Sequence, residues 1–206
     1  MSTRTRGRRR SLDAGLRTDR DLGIRTQRPE ALENLEIDSD NLVHGNRYEP
    51  TPFGVLEDML CGLGLDYPRY SFVDLGSGKG RVLVLAAQQP FLQVIGVEFS
   101  AELHEIALSN FASLRPELVR AKKVQSICGD AANYLFPATP LAVFLFNPFT
   151  APVLSRVLHN LERAVVAGGQ VCYLLYYMPV LASVIDREPW LRPHSAARDW
   201  AIYQAP

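Results

Sequence analysis

Apolar residues recur in two rhythms along this chain, one helical and one suited to buried strands. Val55, Leu56, Met59, Leu60 and Leu63 share one helical face, with Thr51 as the predicted N-cap and Pro52 at the first helical position. YSFVD at 70–74 then runs into a glycine turn, and RVLVLAAQQ continues until Pro90 stops it, which predicts strand, tight loop and buried helix. The unit repeats. QVIGVE at 93–98 reads as a strand, Ser100 caps a helix, and Leu103, Ile106, Ala107, Phe111 and Leu114 form its apolar stripe. VQSIC at 124–128 is a third strand. LAVFLF at 141–146 is apolar without alternation, as in a parallel strand covered on both faces. A helix follows, with Thr150 as cap, Pro152 read as N1 and Gly168–Gly169 as its stop, and VCYLLYY is the fifth strand. After Pro179, a short helix at about 180–187 and two short stretches near 189–194 and 198–204 remain to close the sheet. Residues 29–47 are expected to add at most one short helix.

Strands alternating with helices predict an α/β fold, a doubly wound and mostly parallel sheet with helices on both faces, whose ligand sits at the carboxyl ends of the strands. Chemistry is therefore sought just after each strand. With 206 residues, 47% hydrophobic and 21% charged, the chain suffices for one domain with a full core. Its apolar runs are too short for a membrane span, and Arg8, Arg9 and Arg10 are followed by no apolar export segment, so a cytoplasmic protein without membrane association is expected. Cys61, Cys128 and Cys172 show neither CxxC spacing nor histidine partners, which predicts free thiols and no metal site. Formal net charge is zero, but residues 1–28 hold nine Arg against three Asp, +6 balanced by −6 in the remainder. This segment lacks apolar periodicity and aromatic residues, so it predicts a flexible Arg-rich arm ahead of a single domain at 29–206, and a solubilising tail is favoured over a nucleic-acid-binding one.

Asp74-Leu75-Gly76-Ser77-Gly78-Lys79-Gly80 follows the first strand and opens a helix, a loop in which glycine lets the backbone come close to a ligand. Three ligands compete for such a loop. A phosphate loop needs GxxxxGK[ST], but Val73 stands five residues before Gly78, and Gly80 follows Lys79. A dinucleotide fingerprint needs a glycine or alanine where this chain has the bulky Arg81. The remaining pattern, acidic-x-G-x-G-x-G, resembles motif I of the class I, Rossmann-like S-adenosylmethionine-dependent methyltransferases. That resemblance implies a seven-stranded sheet in the order 3-2-1-4-5-7-6 and S-adenosylmethionine as cofactor. It also implies that Asp74, Gly76, Ser77, Gly78, Lys79 and Gly80 cradle the cofactor's methionine and ribose parts. Glu98 ends the second strand, where a carboxylate accepts from both ribose hydroxyls, and Phe99 beside it is placed to flank adenine. Asp130, followed by Ala131, lies just past the third strand, and in the family resembled this acid accepts from the adenine amino group. Each acid alone is commonly a helix cap or solvated turn residue; their joint placement at three successive strand ends carries the reading.

Two further segments bear on the acceptor. Asn147-Pro148-Phe149 follows the fourth strand, where many amino-group methyltransferases carry [DN]PP[YF], here one proline short. The resemblance makes Asn147 and Phe149 candidates to orient the target amine and pack on it; the alternative is a βα turn in which Asn147 bonds backbone and Phe149 joins the core. YEPTP at 48–52, ahead of the first helix, is similar to the entry of bacterial class I enzymes related to non-SET lysine methyltransferases, which makes Tyr48 and Thr51 candidates for the methionine end. Lys79 is a candidate for the methionine carboxylate, with a solvated lysine as the alternative. The expected reaction is methyl transfer to an amine nitrogen of an unidentified acceptor, protein lysine ahead of a small molecule. Nucleic-acid amino groups come next, and the rival from another class is a catalytically silent S-adenosylmethionine-binding module.

Overall fold

The structure, a computed structural model, describes residues 18–31, 33, 35 and 41–205. Residues 1–17 of the expected arm, and residues 32, 34 and 36–40 of the stretch expected to hold a short helix, lie outside them; within that stretch Leu42–His44 form one 3-10 turn. Seven strands form one sheet among the described residues: β1 (Ser71–Leu75), β2 (Gln93–Glu98), β3 (Val124–Cys128), β4 (Leu141–Leu145), β5 (Cys172–Tyr177), β6 (Arg192–Ala196) and β7 (Trp200–Ala205). Their order is β3-β2-β1-β4-β5-β7-β6, parallel from β3 to β5, with β7 antiparallel to both β5 and β6. The expected doubly wound α/β sheet and its strand order are both present.

Alternation along the strands divides the core into two layers. Leu141, Val143 and Leu145 of β4 face one side with Leu174 and Tyr176, while Ala142 and Phe144 face the other with Phe72 and Val94. Among helices α1 (Asp19–Leu22), α2 (Val55–Cys61), α3 (Arg81–Ala87), α4 (Ala101–Ser113), α5 (Ala151–Gly168) and α6 (Ala182–Ile185), α5 covers the first side and α2 and α3 the second. α5 buries Val153, Leu154, Val157, Leu158, Leu161 and Val165, each contributing about 1.5–3 kcal/mol by the usual transfer scale. Gly169 at φ 58 ends it in the left-handed conformation, as its sequence predicts.

Two local expectations are corrected. α2 starts at Val55 behind Gly54 (φ 92), not behind Thr51. Thr51 is instead buried, with its carbonyl accepting from Arg81 Nη1 at 2.9 Å, a tertiary bond that removes it from the cap position. The arm predicted to be mobile through residue 28 is packed from residue 18 onward. Thr18 caps α1 in a reciprocal capping box with Asp21, Gly23 (φ 74) ends the helix, and Leu22, Ile24 and Thr26 turn inward while Asp21, Arg25 and Gln27 face out. This period-2 alternation is too short to outweigh the arginines in a composition-based reading. No described helix is long and apolar enough to cross a membrane.

Candidate active site

The carboxyl ends of β1, β2 and β4 open into a cavity of about 600 Å³, part of it solvent, and a second hollow of about 340 Å³ adjoins it at the ends of β2 and β3. The two share Gly76, Phe99 and Pro148 as walls. Tyr48, Thr51, Asp74, Gly76, Ser77, Gly78, Glu98 and Phe99, all singled out from sequence, line the first, and Asp130 and Ala131 line the second.

The loop between β1 and α3 is shaped by three glycines at positive φ: Gly76 (76°), Gly78 (53°) and Gly80 (79°). A Cβ at each would collide in turn with Pro148, the Tyr48 ring and Ala107, so the loop needs glycine for its dihedrals and for close packing. Its amides point at the end of β2. Gly78 N–H donates to Glu98 Oε2 at 2.7 Å, and Ser100 N–H donates to Oε1 at 2.9 Å. Glu98 is 3% exposed, and burial raises its pKa against the lowering effect of backbone donors at Ser100, Gly78 and Phe99. Asp74 is fully enclosed; burial first, and then the charge of Glu98, hold its carboxyl well above the usual carboxylate range. Ser77 Oγ, on the same loop, is the one buried side-chain polar atom among the described residues without a hydrogen-bond partner.

The second hollow is mostly apolar, with Val97, Phe99, Phe149 and Val153 around Asp130. Asp130 Oδ1 accepts from Ala132 N–H at 2.8 Å, and Oδ2 accepts from Asn41 Nδ2 at 2.6 Å. Asn41 begins a cover that runs to Thr51. It is fastened to the β4–α5 loop through Asn46 N–H to the Pro148 carbonyl (3.1 Å), Asn46 Nδ2 to the Asn147 carbonyl (2.7 Å) and Thr150 N–H to the His44 carbonyl (2.8 Å). At the first cavity's rim this cover adds Arg47 and Glu49, which pair with each other, and the first residue after β4, Phe146, adds a ring that meets Tyr177 edge-on at 4.7 Å.

Four expected residues have surroundings that differ from the roles the resemblance implies. Lys79 points away from both cavities: its Nζ donates to Glu30 Oε1 and the Arg28 carbonyl, each at 2.9 Å, an ion-paired site that the distant segment around residue 30 supplies. Gly80 lines neither cavity and serves as the N-cap of α3. Asn147, at φ 42, has its amide bound on both sides, Nδ2 donating to the Met178 carbonyl and Oδ1 accepting from the Tyr176 hydroxyl, both at 2.6 Å. It ties the end of β4 to the end of β5, the turn alternative weighed from its sequence. Phe149 is 8% exposed, lines the hollow beside Asp130 and packs in the core. Asn46, Glu49 and Phe146 escaped the sequence reading. Glu49 lies inside the YEPTP segment read for its neighbours, and Phe146 is the last residue of an apolar run with no signal separating it from core.

These features fit S-adenosylmethionine. Its ribose needs a carboxylate deep in the site, its adenine an apolar slot with an acceptor, and its methionine end a turn without side chains that allows close approach to the backbone; Glu98, the Asp130 hollow and the glycine loop offer one of each.

Comparison with known proteins gives the same frame. Residues 72–169 match the family described as "Methyltransferase domain". The fold is similar to precorrin-6y C5,15-methyltransferase from Geobacter metallireducens GS-15 (14% identity, covering 84% of this chain and 94% of that one, TM-score 0.57). It is also similar to precorrin 8W decarboxylase from Methanobacterium thermoautotrophicum (16% identity, 77% and 92% covered, TM-score 0.50). A Pyrococcus horikoshii OT3 protein of known structure resembles it as well (15% identity, 66% and 82% covered, TM-score 0.50). No curated protein sequence matches the chain significantly. The family match runs from β1 through α5, so residues 72–169, just under half of the chain, match a methyltransferase domain, the sheet is that of the Rossmann-like methyltransferase fold, and S-adenosylmethionine is the cofactor that this arrangement fits.

Proposed function

We propose that this enzyme methylates an amine nitrogen, with a protein lysine as the leading acceptor and a small-molecule amine second. The carrying observation is Glu49, a carboxylate on the rim of the cofactor cavity with the Phe146 ring lining the same space. A carboxylate and an aromatic ring lining one cavity favour a cationic acceptor such as an amine, which would compete with Arg47 for Glu49. Exposed Val43 (80%), Met178 (42%) and Val180 (70%) belong to the cover and to the loop after β5, which Asn147 and Asn46 tie together, and they favour an acceptor carried on a protein surface. The committed amide of Asn147 argues against the amino-group geometry of [DN]PP[YF] enzymes, and with it against a nucleic-acid acceptor.

S-adenosylmethionine, when bound, supplies a methyl group on a sulfonium, reactive enough that alignment and exclusion of water are the protein's main tasks. Glu98 accepts hydrogen bonds from the ribose hydroxyls, Asp130 and the hollow around it hold adenine, and the Gly76–Gly78 backbone with Ser77 takes the methionine end beneath Tyr48 and Thr51. Glu49 draws in the ammonium and receives, directly or through water, the proton that must leave before the nitrogen lone pair can form the new N–C bond as the C–S bond breaks. Tritium transfer from labelled S-adenosylmethionine to cell extract tests the reading. Label is expected in protein, and Glu49→Gln is expected to cut turnover by about 10²-fold, with S-adenosylhomocysteine affinity held within about twofold. Binding without turnover would establish the silent module, and label confined to nucleic acid would overturn the amine on protein.

A further inference from the structure

Residues 18–30 form a strap along the outside of the cofactor loop, fastened at charged and polar points that none of the cavity's chemistry requires. Arg81, the first residue of α3, is 5% exposed and surrounded: Nε donates to Thr26 Oγ1 at 2.6 Å, Nη2 to Asp19 Oδ1 at 3.1 Å and Nη1 to the Thr51 carbonyl at 2.9 Å, and its guanidinium lies 4.5 Å from the Phe53 ring centre. Thr26 is fully buried and acts as a junction. Its hydroxyl donates to Asp19 Oδ1 at 2.6 Å, its N–H donates to Asp19 Oδ2, and its carbonyl accepts from the Tyr48 hydroxyl at 2.8 Å. Tyr48 is held a second time by paired backbone bonds with Glu30 (3.2 and 2.9 Å), and its ring lies directly on Gly78, the residue whose N–H binds Glu98. Neither Asp19 nor Thr26 lines the cavity; Tyr48 does, and so does Arg81, whose guanidinium is committed to Thr26, Asp19 and Thr51.

A buried ion pair is a poor way to gain stability, because a packed apolar pair of similar size anchors a strap equally well without the desolvation cost. What the Asp19–Arg81 pair adds is a fixed geometry, delivered through Thr26 to the aromatic roof of the loop. We infer that Asp19 and Arg81 are positioning residues of the enzyme: acting through Thr26, they set Tyr48 against Gly78 and so set the affinity for the cofactor. Residues 18–30, outside the span matched by the methyltransferase family, are on this account a working part of the site. The inference rests on the cradle assigned above to Glu98 and the glycine loop.

S-adenosylhomocysteine titrated calorimetrically into the full-length protein, at a temperature where each variant is folded by near-ultraviolet circular dichroism, tests it. Asp19→Asn is expected to weaken binding about tenfold and Tyr48→Phe, which keeps the ring and loses the hydroxyl, about fivefold. The double variant is expected to be no weaker than Asp19→Asn alone, because both changes break one chain of bonds. A merely structural strap would lower the melting temperature and leave affinity unchanged; that result, or losses that multiply in the double variant, would overturn the inference. If Asp19→Asn does not fold, Tyr48→Phe decides alone, and affinity within twofold of the parent would overturn it. Glu98→Ala separates the two levels: if it leaves affinity intact, the cradle reading fails; if it weakens binding while Asp19→Asn does not, only the strap's role fails.

Discussion

The two halves of the sheet's carboxyl edge solve different problems with different materials. At the ends of β1 and β2, the site is built from a short contiguous loop and a carboxylate twenty residues on, all enclosed: Asp74, Ser77 and Glu98 are each 5% exposed or less. At the ends of β4 and β5, the cavity wall is assembled from segments 101 and 31 residues apart, joined by Asn46 to the Asn147 carbonyl and by Asn147 to Met178, and its polar side chains at the rim stay in solvent. The first half is rigid because backbone dihedrals define it. The second is held by side-chain bonds between surface loops, the kind of structure that changes its specificity without disturbing the fold.

Substitutions on the enclosed half should therefore have the larger effects. Gly78→Ala adds left-handed strain of about 1–2 kcal/mol and a collision with the Tyr48 ring of about 1–3 kcal/mol, so cofactor affinity is expected to fall about 30-fold or more. Glu98→Ala should cost about 1.5–3 kcal/mol of cofactor binding, as expected for lost charge-assisted hydrogen bonds. Calorimetric titration with S-adenosylhomocysteine measures both, and normal affinity in either variant would remove the distinction between the halves.

On the open half, Asn147→Ala is the informative change. It leaves the Tyr176 hydroxyl and the Met178 carbonyl without their partner and puts alanine at φ 42, which together predict a loss of about 1–3 kcal/mol of stability. Cofactor affinity should hold within about twofold, and turnover should fall only in proportion to unfolded protein. Thermal melts and turnover on one preparation decide. A 10²-fold loss of turnover in a well-folded variant would restore Asn147 to the chemistry and show that both halves carry reacting groups.

The same contrast governs what the chain's sequence discloses. The five parallel strands and the glycine loop with Asp74 and Glu98 follow from local rules, because glycine spacing and strand ends are local properties, whereas the strand order and the parts of Phe99, Asp130 and Ala131 come from the family resemblance. Lys79 defeats those rules: it stands inside the motif, yet its orientation depends on Glu30 and Arg28, forty-nine and fifty-one residues away. Asn147 and Phe149 matched a motif by composition, but nothing nearby in sequence reveals that Tyr176 and Met178 occupy the amide. The strap was hidden for a related reason. Its three inward positions, Leu22, Ile24 and Thr26, are outnumbered by charged neighbours, and Asp19 is disguised as a surface acid until Arg81 is brought to it.

Acidity offers a finer separation. Asp74 and Glu98 both have raised pKa values in the folded protein, with burial as the leading cause. A carboxyl raised on folding contributes stability that is fully present below its unfolded pKa, near 4, and is lost as pH rises through its folded pKa. The cofactor-free protein should thus lose part of its stability as pH rises above about 4, while cofactor affinity rises as Glu98 ionises and becomes the better acceptor. Melting temperature against pH should be flatter for Asp74→Asn than for the parent. Identical slopes would show that Asp74 does not titrate in that window.

The smallest expected effect comes from a pair with the same chemistry as the strap's. Arg47 and Glu49 are an arginine–carboxylate ion pair, as are Arg81 and Asp19, but the side chains of the first are 70% and 41% exposed and those of the second 5% and 12%. Water and salt screen the exposed pair, and holding two long side chains together costs rotamer freedom, so Arg47→Ala is expected to shift stability by less than about 0.5 kcal/mol. Loss of Arg81 strands Asp19 and opens the strap, for which about 3–5 kcal/mol is the expected scale. Chemical denaturation of Arg47→Ala and Arg81→Ala side by side reads the ratio directly. Because Arg47 neutralises Glu49 without enclosing it, its removal should also leave Glu49 free to meet a cationic acceptor, with the Michaelis constant for the amine unchanged or lower and cofactor affinity unaltered. Comparable losses of stability in the two variants would mean that the rim is as tightly built as the cradle. The open half of the edge would then be a second fixed site, no longer a surface held by loops.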